Sequence, residues 1–495
     1  MSPAALQFAR TQREQESLAR RARKGELRRL APKVYIDAAC TDLATLLRTQ
    51  LLPLLEFLYP GQVLAHRNAL SLLPDNGHVY LIAPIANARK VELGPLTVHL
   101  LPGDTGTGTE PVLPRFKRMT EARVLLESEA GAKTRRGRQK FLTAEEIEAV
   151  LVKHLIRGKE RGLNTLRDEA RACADALGMA DAFTALNRKI SALLASGPAA
   201  GVLRSAAGIA HAAREPFDAG CLARCEQFAA YLRRQEFALL PFAYENAAWR
   251  NLAFFEAYFS NYIEGTEMTV QEAQQVVFEH RDLPQRSGDS HDVRGCFELC
   301  ADLEEMSYVP RDAQGFLSVL RSRHRVLLRG RLDMRPGEFK ISNNRAGDTV
   351  FVAPECVEGT LARGFELCRA VDDGFRRALL IHFLVTDVHP MQDGNGRLAR
   401  ILMNAELVAA GQHKIIVLNV MREDYLNGQR HATRAANFRT ITKVLYQLHH
   451  YTAALPATLH DDLLERLEHD GAFRAPDEGI ATFNAARRAY RFEEQ

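Results

Sequence analysis

The stretch Ala378-Leu-Leu-Ile-His-Phe-Leu-Val-Thr-Asp-Val-His389-Pro-Met-Gln-Asp-Gly-Asn-Gly-Arg-Leu-Ala-Arg400 sets how the C-terminal half of the chain folds. The apolar run from Ala378 to Val385 has the length and flanks of a buried helix. Pro390 and the glycines at 394 and 396 then interrupt the pattern and force a tight loop. Helical periodicity resumes behind the loop and continues through Ala410. The segment is therefore helix, loop, helix, with the loop's amides opening the second helix. Such an N-terminus suits anions: its first amides lack intrahelical partners, the helix dipole is positive there, and glycines let oxygens approach the backbone closely.

The side chains around this cradle are those that nucleotidyl transfer requires, because phosphoryl chemistry depends on positioning, charge neutralisation and an activated nucleophile. His389 can accept the proton of an incoming hydroxyl near neutral pH. Asp393 offers a hard oxygen to Mg²⁺, which is held by one or two carboxylates together with waters and substrate phosphates. Arg397 and Arg400 can fork onto the outer phosphates of a nucleotide, with Gly394, Asn395 and Gly396 forming the turn beneath them. A Gly-Asn-Gly turn alone would merely join two helices; the register of histidine, acid, glycines and both arginines points to chemistry. His382, inside the apolar helix, reads as a satisfied core histidine.

From His389 to Arg400 the sequence resembles the Fic family, whose motif runs His-Pro-Phe-x-(Asp/Glu)-Gly-Asn-Gly-Arg-x-x-Arg. Only Met391 departs, standing where the family has phenylalanine. The resemblance implies a helical bundle around the loop and a protein adenylyltransferase. Such an enzyme moves AMP from Mg-ATP to a Tyr, Thr or Ser hydroxyl of a target protein and releases pyrophosphate. His389 would be the general base, Asp393 the Mg²⁺ ligand, and Gly394, Asn395, Gly396, Arg397 and Arg400 the nucleotide contacts. Ser260-Asn-Tyr-Ile-Glu-Gly265 resembles the family's inhibitory motif, Ser/Thr-x-x-x-Glu-Gly/Asn. Its four-residue spacing puts Ser260 and Glu264 on one helical face, Gly265 can end that helix, and Thr269 with Glu272 can cap the next. The resemblance implies that Glu264 pairs with Arg400 and so withdraws a γ-phosphate ligand; the plain alternative is a polar helix end. Glu338 to Val352 predicts a β-hairpin that resembles the family's flap, which holds the target segment by main-chain pairing; the alternative is a plain surface hairpin. Tyr425 packs either on adenine or in the core. These elements span roughly residues 200 to 455, about half the chain.

Beyond these elements, 495 residues exceed one ordinary core and predict several domains. A hydrophobic content of 46% with 25% charged residues is globular composition. The N-terminus has no apolar signal region, and no run approaches the ~18 apolar residues of a membrane span, so the expected location is cytoplasmic and no membrane partner is expected. The eight cysteines are thinly spread, which predicts reduced thiols; the helically spaced pairs Cys221/Cys225 and Cys296/Cys300 read as buried apolar groups. A net charge of +4 is small, but between Arg10 and Lys33 nine Lys or Arg face three Glu. A second basic cluster, Lys133 to Lys140, reads as a linker before a capping box at Thr143 and Glu146.

The first residues predict a basic helix leading into a hairpin near Gly25 to Ile36, and Val79–Ala83 and Val91–Leu101 read as strands, the latter broken by Gly94-Pro95. This region loosely resembles winged-helix regulators of the abortive-infection antitoxin type, which implies DNA as a partner; a charge-rich N-terminus is equally a solvated face. The expected fold is mainly α, a Fic helical bundle with a β-hairpin flap preceded by a smaller α+β region. The expected divisions are 1–140 (α+β, with a winged helix as one reading), 141–200 (helical connector), 201–460 (Fic domain, with its inhibitory helix at 255–265) and 461–495 (tail). Three functions are carried forward: autoinhibited AMP transfer, AMP removal by the same site, and a DNA-binding regulator whose Fic half senses nucleotide. The target protein, self-modification (Tyr262 being one candidate) and assembly, a homodimer included, stay open.

Overall fold

The basic N-terminal segment forms a helix only where its capping permits. In the computed structural model, which describes residues 6–131, 138–242, 246–488, 490, 492 and 494, helix α1 runs Gln12–Arg23. Thr11 and Glu14 close a reciprocal capping box at its start. Residues before it instead form strand β1 (Gln7–Phe8), which pairs with β3 (Val34–Asp37); β3 pairs in turn with β2 (Leu27–Ala31), giving the order β1-β3-β2. The hairpin expected after the basic helix is thus present, with a third short strand that its two-residue length hid from pattern reading. Of the expected linker, Lys133, Arg135 and Arg136 lie outside the described residues, and a short 3-10 turn spans Arg138–Lys140.

The chain divides into two compact units, Met1–Arg214 and Glu215–Gln495. In the first, a six-stranded mixed sheet follows the small one. Its strands are β4 (Val63–Leu64), β5 (His78–Ala83), β6 (Arg89–Leu93), β7 (Leu96–Pro102), β8 (Thr109–Leu113) and β9 (Phe116–Met119), in the order β6-β7-β5-β4-β9-β8. The β6–β7 hairpin turns at Gly94, whose φ of 63° a side chain would resist. β5 alternates across the sheet: Val79 and Leu81 join one apolar cluster with Leu54, Leu55 and Val98, while Tyr80 and Ile82 join another with Val63, Met119 and Val124. Burial on both faces explains why β5 reads as a continuous apolar run. Helices α2 (Glu121–Gly131), α3 (Ala144–Leu177) and α4 (Ala180–Leu193) pack together around Leu125, Leu151, Leu166 and Leu186. Thr143 and Glu146 form a capping box at the start of α3.

The second unit is helical apart from a short hairpin. Its relevant helices are α5 (Asn246–Ile263), α6 (Ser287–Ala301), α7 (Ala313–Leu327), α8 (Gly374–Val388), α9 (Asn395–Ala409) and α10 (Arg422–Ala435). Helices α8 and α9 pack on each other and are buried almost all round, as their near-continuous apolar sequences require. The hairpin pairs only β10 (Arg345–Ala346) with β11 (Thr349–Val350). Its flanks, which read as strand-like, form no further ladder: Lys340 and Asn344 bond instead to the loop over residues 388–391.

Candidate active site

Helix α8 ends at His389, whose φ of 52° is left-handed and whose amide still donates to Val385 O at 2.9 Å. A non-glycine residue in this region is strained and persists where its surroundings over-determine it. The loop then closes on itself: Asn395 Oδ1 accepts from the Met391 amide at 2.8 Å, and Asn395 Nδ2 donates to Met391 O at 3.0 Å. Gly394, φ 74°, is the N-cap of α9 and has no side chain to cap the first amides. Met391 is fully buried, filling with a thioether the place for which the resemblance implies an aromatic ring.

The imidazole of His389 lies face to face with Phe351, the ring centroids 3.9 Å apart and the planes at 7°. Burial, and then the nearby charge of Lys340, push His389 down to about 4. At neutral pH it is an unprotonated imidazole, the form a general base needs. The Asp393 side chain remains 43% exposed, with Oδ2 3.5 Å from Arg397 Nη2. It is an accessible carboxylate beside the anion cradle, which fits a hard cation shared with substrate phosphates.

Arg397 and Arg400, three residues apart on α9, are both buried. Arg397 Nη1 donates to Asp292 Oδ2 at 2.5 Å and to Asn261 Oδ1 at 3.1 Å. Burial raises the Asp292 carboxyl above its ordinary range in spite of Arg397 and Arg331. Arg400 donates to Ser260 Oγ (2.9 Å), Ser260 O (2.8 Å), Glu264 Oε1 (2.7 Å) and Tyr425 Oη (3.3 Å). Burial alone would lower Arg400, but Tyr425 and Glu264 hold it charged, above the usual guanidinium range. Helix α5 ends at Ile263, one residue short of Glu264 and not at 265 as expected, and the segment meets α9 in antiparallel steps of four: Glu256 bonds Asn404, Ser260 bonds Arg400, and the Glu264 carboxylate, in the turn after α5, lies over Gly396. A side chain at Gly396 would collide with that carboxylate. Glu264 therefore places an anion at the glycine-opened start of a helix, against a guanidinium, where a phosphate oxygen would also be stable.

Tyr425 and His382 meet in the core. Tyr425 is fully buried and its hydroxyl lies 2.7 Å from His382 Nε2, so it backs Arg400 and offers no exposed ring face to a base in this arrangement. His382 is buried with it, pushed down to about 3 by burial. Four residues that sequence reasoning missed shape the site. Besides Asp292, His324 accepts the Gly337 amide on Nδ1 at 2.9 Å, so Nε2 carries the proton and donates to Asp393 O at 3.1 Å. Lys340 and Asn344 reach the loop from the hairpin. A signal existed for two of them. Asp292 shares a face with Cys296 and Leu299, and His324 with Phe316, Leu320 and Leu327; polar groups on an apolar helix face require partners.

Residues 317–407 match the model of the Fic/DOC family. Over 183 residues, 35% of this chain, the sequence is 29% identical to a protein adenylyltransferase Fic of Nematostella vectensis, covering 42% of that protein. It is 28% identical over 190 residues to the Drosophila grimshawi protein of the same name, covering 36% of this chain and 39% of that one. The chain thus spans less than half the length of these curated relatives. Among solved structures, Fic-1 from C. elegans aligns with a TM-score of 0.38 at 16% identity, covering 65% of this chain and 99% of that one.

Proposed function

We propose, from the match of residues 317–407 to the Fic/DOC family model, that the chain is an autoinhibited protein adenylyltransferase. The observation that carries this reading is a neutral imidazole, His389, set one short loop ahead of a glycine-opened helix N-terminus that bears Arg397 and Arg400 one turn in. In the proposed reaction a Tyr, Thr or Ser hydroxyl of a target protein attacks the α-phosphorus of ATP. The new O–P bond forms as the bond to pyrophosphate breaks, and the hydroxyl proton passes to His389. The first amides of α9 and the two guanidinium groups neutralise the phosphates. Asp393 would hold Mg²⁺, which when bound neutralises phosphate charge and orients the leaving group.

Glu264 is the proposed brake. Bound to Arg400 and lying over Gly396, it takes a guanidinium from the outer phosphates and fills their place. The supporting experiment incubates wild type, Glu264→Gly and Glu264→Gly/His389→Ala with Mg²⁺, α-labelled ATP and cell lysate. Label that rises in the single variant and vanishes in the double supports transfer, brake and base together; absence of label in every variant removes the reading. AMP removal is the second reading, favoured by the 35% exposure of the Glu264 side chain, which lets the carboxylate orient a water. Release of AMP from a labelled protein by wild type but not by Glu264→Gly would establish it. For the N-terminal unit we propose duplex DNA as a partner, because α1 buries none of its residues and ends in Arg20, Arg21 and Arg23. Binding that does not weaken with rising salt would refute that proposal.

A further inference from the structure

Four consecutive carbonyls of the catalytic loop, at residues 388 to 391, accept hydrogen bonds from just two residues of the hairpin segment. Lys340 Nζ donates to Val388 O at 3.2 Å, and the Lys340 amide donates to Pro390 O at 2.9 Å. Asn344 Nδ2 donates to His389 O at 3.3 Å and to Met391 O at 2.9 Å. The two side chains also hold each other, since Lys340 Nζ donates to Asn344 Oδ1 at 2.7 Å. The loop is therefore fastened on its carbonyl side to a separate element, which is what a left-handed histidine backbone needs to persist.

Lys340 is an expensive way to make such a fastening. It is 4% exposed, and among the described residues its ammonium faces a neutral amide and a carbonyl, with no carboxylate pairing it. Burial pushes it down to about 7. A buried, unpaired cation is disfavoured unless the site uses its geometry or its charge. Phe351, from the same segment, covers the face of the His389 ring. The groups whose charges reach His389 are Lys340 from the hairpin, Glu264 from the end of α5 and Asp393 from the loop.

We propose that Lys340 and Asn344 are positioning residues for His389, clamping the loop through its carbonyls so that the imidazole stands at a fixed height over the start of α9. The proposal rests on the reading of His389 as general base. A stitching that serves the fold alone would make different predictions, because the clamp touches neither Arg397 nor Arg400 and meets the turn only at Met391 O, an acceptor it shares with Asn395.

The test uses the full chain carrying Glu264→Gly, with Lys340→Met or Asn344→Ala added. The readouts are self-labelling with α-labelled ATP at saturating Mg-ATP, KM for ATP, thermal melting, and hydrogen exchange of the peptide covering residues 386–394. Both substitutions are expected to lower the saturating rate about 10- to 100-fold, the scale of a misplaced catalytic group. KM for ATP should stay within about threefold, because only uniform nucleotide binding would raise it, and exchange in the loop should quicken about tenfold or more. An unchanged rate overturns the proposal, as does a rate that falls only together with KM and melting temperature. Asn344→Ala keeps the test decisive if Lys340→Met fails to fold, since it removes no buried charge. If Glu264→Gly shows no activity, AMP transfer fails as a reading and exchange alone decides: an unaltered loop overturns the clamp.

Discussion

Replacing Glu264 by glycine should accelerate AMP transfer by about 5- to 30-fold or more. The substitution removes one charged hydrogen bond, Arg400 Nη2 to Glu264 Oε1 at 2.7 Å. A hydrogen bond to a charged group contributes about 1.5–3 kcal/mol. Because the Glu264 side chain is 35% exposed, solvent screening reduces this to about 1–2 kcal/mol. At about 1.4 kcal/mol per factor of ten, that shifts the population of the competent Arg400 by about 5- to 30-fold. Arg400 itself should stay in place, held by Ser260 Oγ, Ser260 O and Tyr425 Oη. Clearing the carboxylate from above Gly396 adds space for phosphate, so the figure is a lower bound. The assay is the initial rate of label incorporation from α-labelled ATP at equal protein concentration, with Glu264→Gln alongside. Glutamine keeps the bulk over Gly396 without the charge and should fall between wild type and glycine. A Glu264→Gly rate within about twofold of wild type, with labelling still dependent on His389, would mean that Glu264 is no brake.

The same geometry fixes three other outcomes. With His389 as the proposed base, AMP transfer needs its imidazole neutral, and its pKa is lowered to about 4 by burial and then by Lys340; in Glu264→Gly the rate should therefore stay level on acidification through pH 6 and fall only toward pH 4. An acid limb near the ordinary histidine value of about 6.5 would contradict this. Asp292→Ala takes from Arg397 its buried carboxylate and leaves only the half-exposed Asp393 at 3.5 Å, and breaking a buried pair costs about 3–5 kcal/mol; denaturant unfolding should register it, and a loss below about 1 kcal/mol would count against the role given to Asp292. Tyr425→Phe removes the hydroxyl between His382 and Arg400 and should destabilise by about 1–2 kcal/mol, the cost of unpaired buried groups; an unchanged denaturation midpoint would show that the hydroxyl contributes nothing.

The features legible in the sequence are those that a few neighbouring residues can enforce. Pro390 and Gly394 end one helix and start the next; Thr143 with Glu146 and Thr269 with Glu272 close capping boxes over three residues; and β5 reads as a buried strand because both its faces are apolar. Each depends on backbone geometry within a turn or two, which spacing alone expresses. Tertiary packing set the rest. Asp292 meets Arg397 across 105 positions, His324 reaches Asp393 across 69, and Asn344 reaches Met391 across 47. No local period encodes those pairs, because which polar group meets which across a core depends on how whole helices pack. The same holds for Tyr425, whose place behind Arg400 follows from where α10 docks, and for the order β6-β7-β5-β4-β9-β8, in which two parallel pairings join strands distant in sequence. A helix or a turn is stabilised by bonds among its own residues, whereas a site is stabilised by partners that only the closed fold brings within about 3 Å.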